Sequence, residues 1–347
     1  MKTLSLKISI LLILMFTSLV SEACDICPMD EYSSLRNNGY VGVFYSYNHF
    51  NGYNTLNHSN NFNYRTRTKK HNIFQDENFY EDSPDDFEAF HTLEFRLNYN
   101  LKDKWNFLVS IPYHYNINYY ASVTPPFGQS FDSTTFTNGI GDVILGIQRL
   151  NKIEAEKWVH RFKYGIGFTL PTGYSTIRES EQVAPNDPAH LPGKGAVDFM
   201  LRFNYTLSHN DKIGLITNLL LANNLKSKES NPLGNTPSQP TFQGYNYRFG
   251  NRYGGDALFF YVLGNNEIKL IPKIGTSIYY ARKDVLNKER VEATGGVISS
   301  LVTGIDFRFK ELTLQTLYST PFQQKLNGVQ IENSGKIQLG LIYSLKN

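Results

Sequence analysis

Past residue 39 the chain alternates apolar and polar positions with a period of two, the period of a β-strand whose faces meet different surroundings. In "HRFKYGIGFTL", Phe162, Tyr164, Ile166, Phe168 and Leu170 share one face, and Arg161, Lys163, Gly165, Gly167 and Thr169 share the other. "VDFMLRFNYTL" sets Val197, Phe199, Leu201, Phe203, Tyr205 and Leu207 against Asp198, Arg202, Asn204 and Thr206. In "EIKLIPKIGTSIYY", Ile268, Leu270, Ile274, Ile278 and Tyr280 oppose Lys269, Lys273, Gly275 and Ser277. "LVTGIDFRF" and "GKIQLGLIYSL" repeat the pattern, the first with Asp306 and Arg308 on its polar face.

The pattern predicts about twelve strands, within a range of 10–14, near 40–49, 88–100, 104–118, 138–150, 158–170, 195–208, 211–223, 254–264, 266–281, 295–309, 311–321 and 334–346. Most of these spans are longer than the roughly 5–6 residues of a soluble strand. They match the roughly 9–11 that a tilted strand needs to cross a bilayer. The connections alternate. "LKDK", "NKIEAEK", "SHND", "GNNE" and "FKE" are short and polar, whereas 50–87, 119–137, 171–194, 224–253, 282–294 and 322–333 are long and rich in Asn, Ser, Pro, Gly and Asp. Short periplasmic turns alternating with long extracellular loops are the layout of bacterial outer-membrane barrels. The fold expected is all-β: a transmembrane antiparallel up-and-down β-barrel over 40–347.

A soluble sandwich or lipocalin-like barrel would show the same alternation with its apolar face inward. Two features favour the membrane. The polar face carries Glu94, Arg96, Asp142, Arg161, Lys163, Asp198, Arg202, Lys273 and Arg308, a set that suits a wet lumen and supplies the candidate solute-contacting residues. The apolar face is large and aromatic, and Trp105 and Trp158 each follow a short turn, where an interfacial girdle sits. Composition adds that 14% of residues are aromatic and that the formal charge is +3, which implies no nucleic-acid partner.

The N-terminus reads as an export signal over 1–23. Lys2 and Lys7 precede an apolar run from Ile8 to Val20, and Ser21-Glu22-Ala23 places small residues at a cut before Cys24. Residues 24–39 then form a periplasmic segment that holds both cysteines of the chain.

"NGIGDVILGIQ" (138–148) and "GIGFTLPTGY" (165–174) resemble paired signatures of the outer-membrane transporter barrels grouped with the phenol meta-pathway (MetA-like) degradation family. The "ACDIC" opening resembles that of a Bacteroidetes-type group of these barrels, except that Pro28 and Met29 follow where Gly-Cys is usual. The resemblance implies a Gram-negative outer-membrane barrel that passes small, poorly soluble molecules. Read on their own, Gly139, Gly141, Gly165 and Gly167 leave room where lumen side chains crowd or the wall bends, and Pro171 and Gly173 end a strand.

The remaining chemistry is sparse. Pro28 rules out a C-x-x-C-H haem site, and two cysteines fall short of a structural zinc site. Cys24 and Cys27 could form a disulfide or stay reduced, Cys24 could carry lipid, or both thiolates with the Met29 thioether could hold Cu(I). Copper is the one cofactor candidate. The eight histidines (49, 58, 71, 91, 114, 160, 190 and 209) form no ligand motif and read as solvated loop residues or a weak surface metal site. "SPDDFEAFH", with Asp85, Asp86, Glu88 and His91, reads as a solvated acidic rim or an omptin-like catalytic rim. With no G-x-S-x-G and no His-x-Ser pair, the chain is expected not to be an enzyme. The basic "RTRTKKH" and the acidic run 76–88 share one loop and would pair with each other or with lipopolysaccharide and divalent cations. The expected role is passive passage or binding of small solutes through a polar lumen. The alternatives are a closed structural or adhesive surface barrel, or a copper-linked barrel.

Overall fold

The computed structural model describes residues 39–54, 79–80, 83–101, 104–124, 131–173, 176–179, 190–193, 196–225, 247–265, 267–286 and 288–345. Twelve long strands form the wall. They are β1 (Tyr40–Tyr53), β2 (Phe87–Leu101), β3 (Trp105–Thr124), β4 in two pieces (Phe131–Ile140 and Val143–Ala155), β5 (Trp158–Leu170), β6 (Asp198–His209), β7 (Ile213–Asn224), β8 (Arg252–Tyr261), β9 (Ile268–Ala281), β10 (Gly296–Phe309), β11 (Leu312–Leu326) and β12 (Ile331–Ser344). Each pairs antiparallel with its sequence neighbours, and β1 pairs with β12 from Tyr40↔Ser344 to His49↔Gly335, which closes the ring. Closure pairs the first and last strands of the wall, as a bilayer demands.

The surface is inverted relative to a soluble protein. Phe259 is 63% exposed and Ile274 55%, while the Lys273 side chain is fully buried. Leu93, Phe95, Phe107, Ile166, Leu201, Ile305, Leu339 and Leu341 also face out, while Arg96, Asn106, Gln148, Asn204, Asp256, Asp306 and Gln338 face in. That places the apolar face against lipid and the charged face in the lumen, and identifies the barrel as transmembrane.

The strands lie within a few residues of the predicted spans, except at the β4–β5 turn, where β4 runs through the expected connection to Ala155, and at the long-loop end. There β1 runs on to Tyr53, β3 to Thr124 and β11 to Leu326. At 20 residues, β3 is about twice what a membrane crossing needs. These hairpins continue beyond the bilayer, where neither face meets lipid and alternation is no longer enforced. At the other end the turns are tight. In the β6–β7 turn Lys212 N–H donates to His209 O (3.0 Å), with Asn210 (φ 50°) and Asp211 (φ 53°) in the left-handed conformation that Asn and Asp tolerate.

Register shifts occur near the long-loop ends of the β1–β12, β3–β4 and β10–β11 pairs, and one wall is interrupted deeper along its strand. On β3, Tyr113 faces Ile140, and three residues further on, Ser110 faces Ile144, four residues further along β4. The extra residue is a β-bulge at Gly141–Asp142, and it flips the strand's parity. Thr135 and Thr137 point inward above it, and Gly146 and Gln148 point inward below it. Gly141 N–H donates to Pro112 O (2.8 Å), and Pro112, which has no N–H of its own, stands opposite the broken ladder. Beyond β5 the chain pairs again at Thr176–Glu179, against the upper piece of β4.

Candidate functional site

The nine lumen candidates fall on the inward face, but they do not act as one set of free charges. Glu94 and Arg96 form a bidentate pair, with Arg96 Nε donating to Oε1 (3.0 Å) and Nη2 to Oε2 (2.7 Å). Ser110 also donates to Glu94, and the guanidinium lies 4.2 Å over the Phe44 ring. This fork geometry satisfies both carboxylate oxygens at once. On the opposite run of strands Lys273 Nζ donates to Asp306 Oδ2 (2.7 Å), and Gln315 Nε2 donates to Oδ1 (3.3 Å). A chain of amides runs from Asn204 through Asn218 to Asp256, the last link being 2.8 Å. Asp198 accepts from Asn224 Nδ2 (2.5 Å).

Arg161 sits near the periplasmic turn, where it reaches Asp211 and Ser208 (both 3.2 Å). Lys163 and Arg308 are buried on the same face. Arg202 stands apart. It has no hydrogen bond or ion pair among the described residues, and its Nε is buried without a partner. Asp142 is not a simple lumen side chain. It belongs to the bulge, where its Oδ1 accepts the Gly173 N–H (2.8 Å), while Thr172 Oγ1 accepts the Val143 N–H (2.9 Å). The two glycine-rich phrases therefore meet at one joint.

The lumen is not uniformly polar, as the sequence had suggested. Ile216, Leu258, Ile271, Val302 and Leu317 are each fully buried and project inward from five successive strands, β7 to β11, with Phe260 beside them. They form an apolar strip between the Lys273–Asp306 pair and the amide chain. The alternation concealed them because each sits beside an outward apolar residue.

At the extracellular mouth the acidic rim is solvated only in part, with Asp85 exposed. Asp86 and Glu88 are both buried. Asp86 accepts from Tyr53 Oη (2.8 Å), Ala121 N (2.8 Å) and Ser83 N (3.3 Å). Burial still pushes its carboxyl above the usual carboxylate range, against the lowering pull of those donors. Glu88 accepts from Tyr120 Oη (2.8 Å) and lies 3.3 Å from His190 Nε2. That contact is not aligned as a hydrogen bond.

His190 is the residue that sequence reasoning missed. It comes from the β5–β6 connection and is 2% exposed. Its carbonyl accepts from Asn116 Nδ2 (2.7 Å) and Thr137 Oγ1 (2.5 Å), and its Nδ1 accepts from Asn118 Nδ2 (2.6 Å). Its ring packs 5.5 Å from Phe90. The available signal was Asn116 and Asn118, two amides on the inward face at the loop end of β3.

The other described histidines also belong to the wall and not to solvated loops. His49 and His91 lie among Tyr45, Tyr47, Phe87 and Tyr115 at the extracellular end. His160 and His209 lie among Trp158, Phe162 and Tyr205 at the periplasmic end. His114 bonds Thr92 (2.9 Å). Among the described residues no group of three or more His, Cys, Asp or Glu is arranged to hold a metal. Cys24, Cys27, Met29, His58, His71 and the basic run 65–71 lie outside the described residues.

No protein-family model matches the chain, and no curated protein matches it. Solved structures do. The COG4313 outer membrane channel from Pseudomonas putida F1 aligns over 92% of this chain and 100% of its own, with a TM-score of 0.56 and 12% identity. The β domain of the Bordetella autotransporter BrkA aligns over 89% of this chain and 100% of its own, with a TM-score of 0.46 and 9% identity. The Ralstonia pickettii toluene transporter TbuX aligns over 89% of this chain and 90% of its own, with a TM-score of 0.39 and 11% identity. At 12% identity the likeness to the first of these is one of fold, a membrane β-barrel.

Proposed function

We propose that the barrel is a passive outer-membrane channel for small solutes, and that its lumen favours molecules with an apolar body and a polar or charged group. The observation that carries this reading is the two-sided lumen. An apolar strip over Ile216, Leu258, Ile271, Val302 and Leu317 runs beside the Lys273–Asp306 pair and the Asn204–Asn218–Asp256 chain. A purely structural barrel gains nothing from burying so many charges, because each desolvated ion costs several kcal/mol (order of magnitude) that its partner only partly returns. The similarity to a solved outer membrane channel supports the same reading.

Arg202 is the charge best placed to act on a passing ion, because no described group neutralises it. In planar bilayers, neutralising Arg161, Lys163 and Arg202 together should move the reversal potential toward cation selectivity. Arg202→Gln alone should supply most of that shift, since Arg161 is already paired with Asp211. Unchanged reversal potentials in the triple variant would sink the lumen assignment. The packed state of the strip favours one other reading, a closed surface barrel. Absence of any conductance from folded protein would favour that reading.

A further inference from the structure

The connection between β5 and β6 places residues 190–193 inside the mouth of the barrel. We propose that this segment is an inward strap that closes the extracellular mouth, with His190 as its latch. As a gate, the strap rests on the channel reading above.

Three observations meet there. First, the seat of His190 is built from three strands: Glu88 and Phe90 of β2, Asn116 and Asn118 of β3, and Thr137 of β4. A loop residue resting on a rim would keep its ring in water, whereas His190 is 2% exposed. Second, seat and latch need one another. Without His190 the donors of Asn116, Asn118 and Thr137 would be left facing a buried space, and unmade buried hydrogen bonds are costly. When the strap lifts, water enters the seat and takes over those bonds, so the closed state is favoured by a small margin and the contact is reversible.

Third, the base of the strap is fixed. Gly173 and Gly193 pass so closely that a Cβ on either would overlap the other's backbone. Gly173 is itself held by Asp142 of the β4 bulge. Among the described residues the segment thus has a root in the wall at Gly193 and a tip at His190 held by hydrogen bonds, the Phe90 ring and the Glu88 contact. The bulge is what makes this arrangement available. By flipping the parity of β4 it turns Thr137 inward above the joint, where Thr137 meets the His190 carbonyl, and it frees Asp142 to hold Gly173.

The test uses the full chain, folded and inserted in planar bilayers, with heat-modifiable migration as the check on folding. His190→Ala keeps the carbonyl that Asn116 and Thr137 hold but loses the Asn118 bond and the Phe90 contact, and should raise the open-to-closed ratio by about tenfold. Asn116→Ala/Asn118→Ala should do the same from the other side of the contact. His190→Gln should recover part of the closure, because its amide can still accept from Asn118. Hydrogen exchange of the His190, Leu191 and Gly193 amides gives a readout that needs no conductance. It should be slow in the wild type and faster in both latch variants. Equal gating and equal exchange in wild type and His190→Ala would overturn the latch. Faster exchange in a folded barrel that stays electrically silent would support the strap and overturn the channel reading instead.

Discussion

The wall from β8 to β12 and the wall from β3 to β5 are made of the same alternating strands, yet they are used differently. In the first, inward charges are met by neighbouring strands: Asp306 of β10 accepts from Lys273 of β9 and from Gln315 of β11. In the second, inward groups reach across a gap to a loop. Asn116, Asn118 and Thr137 hold His190, and Asp142 holds Gly173. The difference follows from where the register breaks. In the first wall the shift lies near the long-loop end, at Ser299–Ser300 of β10, and below it the ladder fixes each side chain to its neighbour's register, whereas the bulge at Gly141–Asp142 leaves backbone and side-chain groups that a loop satisfies. The regular wall should therefore report on stability, and the interrupted wall on passage.

The largest expected effect lies in the regular wall. Asp306→Ala leaves Lys273 buried without its carboxylate, and breaking such a pair costs about 3–5 kcal/mol. The loss should appear as a lowered urea midpoint of the folded barrel. Lys273→Met/Asp306→Leu should restore most of it, because the charge to be satisfied is gone. If the double variant is as unstable as the single one, the pair is not what stabilises this wall.

Next comes the contrast between the two faces of a single strand. Leu339 faces lipid at 42% exposed, and its neighbour Gln338 faces the lumen. Leu339→Arg should cost about 2–4 kcal/mol near the midplane, and Gln338→Arg much less. Equal costs would mean that the inside-out assignment is wrong for β12.

A pair of glycines sharpens the comparison between the walls. A side chain on Gly304 of β10 would press on Thr316 O and the Leu317 side chain, and one on Gly173 would press on Gly193. Overpacking of this kind costs about 1–3 kcal/mol at either place. Gly304→Val should lower the urea midpoint and leave gating alone. Gly173→Val should dislodge the strap and raise conductance. If both variants change gating alike, the interrupted wall has no special role.

How much of this could be read from the sequence follows the same division. Twelve strands were legible because lipid on one side and a wet lumen on the other impose a strict period of two, as in Phe162 to Leu170. The apolar strip was hidden because Ile271, Val302 and Leu258 adjoin outward apolar residues, as in "KLIP" and "ALFF". A search for runs in which both parities are apolar would have found it. Asp142 was read as one more lumen carboxylate because a bulge leaves no mark on periodicity beyond a local slip in phase. His190 follows no strand period at all. Its hydrogen-bond donors lie 53 to 74 positions away in sequence, and the paired strands bring them together.

The smallest expected effect tests where the two walls should be alike, at the interfacial rings. Phe162 stacks on Tyr205 at 4.9 Å in the interrupted half, and Tyr253 stacks on Tyr280 at 5.2 Å in the regular half. Phe162→Leu and Tyr280→Leu keep most of the apolar area and lose the ring pair, which is worth about 0.5–1.5 kcal/mol. The two losses in urea midpoint should be equal, because the membrane interface favours aromatic rings whichever wall carries them. A Phe162→Leu cost several times that of Tyr280→Leu would mean that the girdle braces the bulged wall, and the two walls would then differ in stability as well as in what they hold.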